Sequence, residues 1–508
     1  MGLRYKFALM VGLAAPACVA VDEADELEDA DATAQAVSLP SRAAACATDP
    51  RVVVGAVSVD VCVGADLFLR ETFGGNGRSC ATCHRVDDNF AIDPAFMTRL
   101  PATDPLFIAE FNPRLAGLEI PAQMRRFGLI LENVDGFAPD PTTHFVLRSV
   151  PHTLSLATSV TRSPADPVTP PIERTGWGGD GAPGAGGLRD FQTGAITQHY
   201  TKSLARVAGT DFRLANDDEL TRIDQFMRQI GRTNELTLTS VVMSDARAEA
   251  GRAKFLAVGC NACHLNAGAN AGFGGGGNFN FNTGVESARH PALAAFPRDG
   301  GFLTLPANPD GSFGNGAFNA PPLVEAADTG PFFHTATSIV GASAHNTDVA
   351  STIEEAIAFY DSPAFNNSPS GLVAPIDLTA TEIDDIGRFL RGVNASFNAA
   401  MAVKRLDAAS ALVVRFHNSQ LTIQREMLRL ANAEVIDAIE VLSGVPNLDG
   451  SSLFSLRTAR ALVDDARTTP SDVSRVLAIA LARQLVLQAS TSVGTNLTYT
   501  IGAGTVMF

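Results

Sequence analysis

Apolar residues recur at helical spacing in segments that pair off along the chain. Ala65–Phe73 carries them and ends in Gly74-Gly75, and Arg247–Val258 does the same and ends at Gly259. Glu219–Ile230 and Glu382–Val393 each place apolar residues at i, i+3, i+6 and i+7, and Thr379 stands three residues before Glu382 as a capping box. The order helix, motif, long loops, closing helix therefore occurs twice, which predicts a mainly α chain with tandem units over 46–232 and 245–395. Beyond them, 396–508 has helical periodicity at Ala411–Leu430, Ala433–Leu442 and Val473–Leu487 and then a polar end rich in Thr and Gly, a mostly helical extension with no chemical motif. At the other end, Arg4 and Lys6 precede an apolar run, Phe7–Ala15, that is too short to span a membrane, and small residues follow at Ala17–Ala20. This is the layout of a secretory signal over 1–20, so the chain is expected to be periplasmic or secreted. The mostly acidic Asp22–Asp31 reads as a solvated tether within 21–45. The best later candidate for a membrane span, Val476–Leu487, is interrupted by Arg483 and Gln484.

Composition narrows the class. With 508 residues, 46% hydrophobic and 18% charged, the chain can bury sizeable cores. Its net charge of −16, with no basic cluster, argues against nucleic acid as a partner. One Trp and four Tyr beside 44 Gly and 28 Pro favour loops and helix ends over an aromatic-rich β-sandwich.

The cysteines give the chemistry. Of seven, four lie in two copies of C-x-x-C-H: Cys80-Ala81-Thr82-Cys83-His84 and Cys260-Asn261-Ala262-Cys263-His264. This is the attachment signature of c-type haem. Two thiols at that spacing reach the two vinyl groups on one porphyrin edge, while the adjacent His ligates the iron. A redox dithiol or half a zinc site is the competing reading, and an exported chain with His in both copies makes each a poor one. Two covalently attached haem c groups are therefore expected. Cys46 and Cys62 precede the first motif in an oxidising compartment, so a disulfide between them is the economical assignment. Cys18 sits where a bacterial lipoprotein carries its lipid, which would make this an outer-membrane lipoprotein; Ala15-Pro16-Ala17 matches the usual Leu-led box poorly, and ordinary cleavage after Ala20 is the other outcome.

The order of motifs resembles the bacterial di-haem cytochrome c peroxidase and MauG superfamily over roughly 60–395. Leu67-Phe68-Leu69, Arg148-Ser149-Val150-Pro151 and Gly176-Trp177-Gly178-Gly179-Asp180-Gly181 are similar to its segments around the first haem. Pro321-Pro322-Leu323, Thr329-Gly330-Pro331-Phe332-Phe333-His334 and Thr352-Ile353-Glu354-Glu355-Ala356 are similar to those around the second. The resemblance implies two cytochrome c-type domains in which the first haem meets oxidant, the second relays electrons from a small periplasmic donor, and a tryptophan lies between. Trp177, the only Trp, falls on that position; a buried structural Trp is the alternative. Calcium between the domains also occurs in the superfamily, although no decisive ligand cluster stands out here.

The resemblance then departs from the peroxidases. No Met lies between His264 and Met401, so a methionine ligand on the second haem looks absent. Tyr360 aligns with the position where MauG-type proteins carry a ligating tyrosine, and an anionic oxygen ligand favours oxidised iron and lowers its potential. His290, His334 and His345 are alternative ligands, and a core Tyr is the bland reading. Around the first haem, the superfamily supplies a glutamate from the loop after the tryptophan. Here that stretch, Leu188–Tyr200, holds Gln198 and His199 near the expected place and no Glu. His199 is the candidate base; His144 and His152 are weaker distal candidates, expected rather at the surface. Phe191 in an apolar setting is more similar to the rubber oxygenase branch, whose first haem binds dioxygen and cleaves an apolar substrate. Three readings follow, in order of preference: a hydrogen peroxide reductase, a dioxygenase acting on an apolar organic substrate, and an electron carrier without catalysis.

Overall fold

The computed structural model describes residues 38–134, 145–166, 168, 171–184, 186–273, 275–302, 314–336, 350–443 and 450–508. The secretory segment, most of the acidic tether, Cys18, His144 and His345 lie outside the described residues. The fold is mainly helical, with three two-stranded sheets among the described residues.

The paired segments of the sequence meet in space. Helix α1 (Leu39–Ala47) leads into α2 (Val59–Arg70), and Cys46 and Cys62 form a disulfide between the two. After the first motif come α3 (Leu188–His199) and the closing helix α4 (Asp217–Met227), which opens with an Asn216/Glu219 capping box and crosses α2. The crossing is close because Gly64 stands at it: a Cβ there would sit 1.9 Å from the Arg222 carbonyl oxygen. The second unit repeats the device. Helix α5 (Ala246–Ala257) crosses the closing helix, and a Cβ on Gly251 would meet the Asp385 carbonyl oxygen at 1.8 Å. Only glycine lets two helix backbones approach so closely.

The closing helix of the second unit does not stop where the unit was expected to end. Following α6 (Ile353–Tyr360), helix α7 runs unbroken over Ala380–Phe416, straight through the 395/396 boundary. Its Thr379/Glu382 capping box forms as the sequence predicts, and no Gly or Pro interrupts it after Gly392. With α8 (Leu421–Ser443), α9 (Gly450–Thr468) and α10 (Asp472–Val493) it makes a four-helix bundle, each helix packing on the next and the last on the first. The continuous periodicity expected over Ala411–Leu430 is broken by His417 and Gln420, both at positive φ, and α9 had no clear sequence signal. Helix α10 is long and apolar enough to cross a membrane by length and composition. One of its faces, with Ile479, Ala482 and Val486, is buried.

The chain then returns. Gly494–Thr495 pairs antiparallel with Val242–Met243 in the linker between the units, and Phe508 packs edge-on against Phe90 with ring centroids 4.7 Å apart. A single apolar cluster consequently runs from Cys46 through Phe68, Phe226 and Phe389 to Val463 and Met507. Residues of the bundle and of both units belong to this one cluster.

Candidate active site

Each C-x-x-C-H segment forms one helical turn, Cys80–Cys83 and Cys260–Cys263, and both open onto a single continuous cavity. It offers about 3050 Å³ free of protein atoms, open mouth included. Nδ1 of His84 donates to the Phe90 carbonyl (3.0 Å), and Nδ1 of His264 to the Pro321 carbonyl (3.0 Å). That arrangement leaves Nε2 as the lone-pair nitrogen on both rings, the tautomer an iron ligand requires. Burial depresses both imidazole pKa values, His264 to about 4, so the rings are neutral near pH 7.

The four motif thiols are free, and burial pushes Cys80, Cys83 and Cys263 up to about 11 and Cys260 to about 12. A redox dithiol or a zinc ligand acts as thiolate, which this burial disfavours. Among the described residues, no three His, Cys, Asp or Glu side chains converge to hold a metal ion. A haem brings its own four nitrogens and needs from the protein what the motifs offer: two thiols, one imidazole and an apolar wall. The residues present fit that group.

The stretch expected to be a loop after the tryptophan is helix α3. One face of it, through Leu188, Phe191, Gln192, Ala195, Ile196 and His199, lines the cavity at helical spacing. This geometry separates the two candidates that sequence placed side by side. His199 faces the cavity, whereas Gln198 turns away: its Oε1 accepts from the Asn133 backbone N–H (3.2 Å) and its Nε2 donates to Asn133 Oδ1 (3.2 Å). His199 keeps a buried Nδ1 without a hydrogen bond, 3.9 Å from Glu119 Oε1. Burial, with Arg78 and Arg206 nearby, holds its pKa well below the usual imidazole value, which weakens it as a base. Phe191 lies against Gly176, where a Cβ would meet its ring at 2.9 Å, so it packs directly beneath the Trp177 segment.

Trp177 lines the same cavity and is tied to both units. Its Nε1 donates to the Ser149 carbonyl (2.8 Å), and its own carbonyl accepts from the Asn319 N–H (2.8 Å). Tyr360, at the end of α6, lines the cavity with its ring against Phe365, and burial raises its pKa. His334 is committed elsewhere, its Nε2 bonded to Glu286 Oε1 (2.5 Å) and its ring stacked on Phe318. His290 caps a short turn through Ala292 N–H (3.0 Å). The backbone of a Gly-rich loop that follows the second motif, residues 267–277, holds that motif, Gly272 N–H donating to the Ala262 carbonyl (2.8 Å).

His152, a weaker distal candidate expected at the surface, is half-buried in the cavity wall, and burial and Arg232 push its pKa down to about 4 by disfavouring its cation. One cavity residue escaped the sequence reading: Glu132 lines the same wall. It ends strand β1 (Leu129–Glu132), which pairs antiparallel with β2 (Val146–Ser149), and its carboxylate meets Arg148 Nη1 at 3.1 Å. Alternation along β1 was the available signal: Leu129 and Leu131 enter a side core with Phe127 and Phe145, so Ile130 and Glu132 face the other way. No family model, curated protein or solved structure matches this chain.

Proposed function

We propose that the chain is an exported di-haem c-type cytochrome oxidoreductase that reduces hydrogen peroxide at its first C-x-x-C-H site with electrons relayed through the second. The observation that carries this reading is the meeting of both motifs in one cavity, each with its histidine held by a backbone carbonyl. Cys80, Cys83 and His84 would hold one haem, and Cys260, Cys263 and His264 the other. The bound haems would supply the one-electron redox chemistry.

The remaining steps belong to the protein. The Phe90 and Pro321 carbonyls orient the two imidazoles and raise their basicity as ligands. Trp177, whose indole is held by the Ser149 carbonyl and whose backbone carbonyl accepts from Asn319 of the second unit, is the residue to which this reading gives electron passage between the sites. Tyr360 is this reading's candidate oxygen ligand for the second site. Binding would require loss of its phenolic proton, against the burial that favours the neutral form. His199 is the residue of helix α3 that can accept a proton from a small oxidant, and Leu188, Phe191 and Ile196 keep that wall dry.

A second reading is supported by the same apolar wall. Phe191 in helix α3, with Phe281 across the cavity and Phe273 exposed near it, suits an apolar organic substrate attacked by dioxygen. The experiment that separates the readings is a pyridine haemochrome count followed by anaerobic reduction and exposure to one oxidant at a time. Two covalent haems per chain and rapid reoxidation by peroxide support the reductase. Oxygen consumption that requires polyisoprene favours the oxygenase, and inertness to both leaves an electron carrier.

A further inference from the structure

The two motifs anchor their histidines on carbonyls that are fixed by different means. His264 Nδ1 donates to the Pro321 carbonyl (3.0 Å), with the Gly268 carbonyl at 3.3 Å. Pro322 follows Pro321, and a residue before proline is confined to extended backbone, so the chain itself sets the direction of that carbonyl. His84 Nδ1 donates to the Phe90 carbonyl, which has no such restraint. Asn89 and Phe90 instead both stand in the left-handed region, at φ 50° and 60°, which bulky side chains rarely adopt. Such a conformation persists only where its surroundings over-determine it. Relaxation of the pair to negative φ would swing the Phe90 carbonyl off His84.

We propose that Phe508 and Arg405 are positioning residues of the first C-x-x-C-H site, through which the helical bundle holds the Phe90 carbonyl against His84. This inference rests on the reading that Cys80, Cys83 and His84 carry a haem.

The Phe90 ring is buried against Phe68, and the Phe508 ring meets it edge-on with centroids 4.7 Å apart. On Phe508 in turn lies the Arg405 guanidinium of α7, 4.8 Å from the ring centroid. Arg405 is itself buried and committed: Nε donates to the Thr505 carbonyl (3.1 Å), and Nη1 to the Leu430 carbonyl (2.9 Å) and to Glu434 Oε1 (2.5 Å), both on α8. One side chain thus ties the backbone and the aromatic ring of residues 505–508 to two helices of the bundle. Arg51 Nη1 adds a bond to the Met507 carbonyl (3.2 Å). The other half of the left-handed pair is held from α7 as well. Asn89 Nδ2 donates to the Asp328 carbonyl (3.1 Å), and Asp328 Oδ2 accepts from Asn398 Nδ2 (2.6 Å). The Pro151 carbonyl, also beside the His84 ring, belongs to the first unit and stands outside these contacts.

A hydrogen bond from Nδ1 makes an imidazole a stronger donor to iron and so favours the ferric state. The bundle therefore lowers the potential of the first site, while the second needs no such support.

The test is a potentiometric titration of full-length holoprotein, with Cys260→Ser/Cys263→Ser protein, which holds the first haem alone, assigning the two waves. Phe508→Ala removes the ring behind Phe90. The first site's ferric-to-ferrous ratio at fixed ambient potential should fall about tenfold, a rise of about 59 mV for one electron, with the second site unmoved. The iron–histidine stretch of the reduced first site should drop in frequency in resonance Raman spectra. Arg405→Lys, which keeps the charge beside Glu434 and loses the planar stack, should give a smaller shift of the same sign, and Phe508→Tyr should restore the native value. Where Phe508→Ala loses haem content, Phe508→Leu takes its place under the same criteria, since it keeps apolar bulk without the aromatic edge. A first-site potential unchanged at native haem content overturns the proposal, as does an equal shift at both sites, which marks general loosening. Native protein without haem on Cys80 and Cys83 removes the haem reading and this role together; native protein with that haem and indifferent variants removes the role alone.

Discussion

Between the first motif and its closing helix, the chain contributes the β1–β2 hairpin and helix α3, and these bring Glu132, Arg148, Gln192 and His199 to or beside the cavity. Between the second motif and its closing helix it contributes the Gly-rich loop, strands β3 (Asn280–Phe281) and β4 (Phe318–Asn319), which pair, and helix α6, which bring mainly Phe281, Phe318, Ile357 and Tyr360. The two frames are alike, down to a glycine at each helix crossing. What differs is the filling: Glu132 and His199 line the cavity from the first unit, and Phe281, Phe318 and Tyr360 from the second. A repeated frame thus sets where two cofactors would sit, while the inserted elements set what each can do.

The comparison can be broken most severely at the motifs. Cys80→Ser with Cys83→Ser should abolish covalent haem in the first unit and leave one per chain, and Cys260→Ser with Cys263→Ser should do the reciprocal; haemochrome counts check both. Only the second pair should retain any fast reaction with peroxide. The crossings come next. Gly64→Ala and Gly251→Ala each force a methyl into a carbonyl oxygen, and each should cost about 3 kcal/mol in denaturant unfolding. Equal losses would confirm that the frames are equivalent.

Glu132 provides a pH-dependent contrast. Its folded pKa, about 7, lies above the unfolded carboxyl value, so native protein loses stability from Glu132 as the pH rises from about 4.5 to 7. Glu132→Gln lacks that term. Its stability relative to native should therefore grow across this window by at most roughly 3 kcal/mol, measured as the difference in unfolding free energy at pH 5 and pH 7.5. The smallest effect is expected at the shared aromatic. Trp177→Phe removes the hydrogen bond to the Ser149 carbonyl and should cost about 1 kcal/mol, while slowing electron exchange between the two sites.

Local signals in the sequence foretold the frame well. The capping residues Thr379 and Glu382, the glycine-terminated helices and the two motifs all have short-range causes, and their helices pair as the repeat predicts. The bundle was legible only in pieces, since α7 continues past a boundary that no residue marks. The site was harder. Gln198 and His199 are neighbours in sequence, and only a helical phase, hidden by Gly194 and the polar run around it, decides that one faces the cavity and the other Asn133. Glu132 reaches the cavity from a hairpin 67 residues before His199, and Asp299, which bonds to the same Arg148, lies a further 100 residues beyond His199. Such juxtapositions are made by tertiary packing and leave no periodic trace.

The central claim is that two linked redox sites share one cavity and serve a two-electron oxidant. The most direct measurement is an anaerobic titration of the fully reduced protein with hydrogen peroxide, followed optically at both chromophores. The account predicts that one equivalent of peroxide reoxidises both sites of each chain together, because the two electrons it needs come one from each. A purified protein with no covalent chromophore, or one whose reduced spectrum peroxide leaves unchanged, would contradict it.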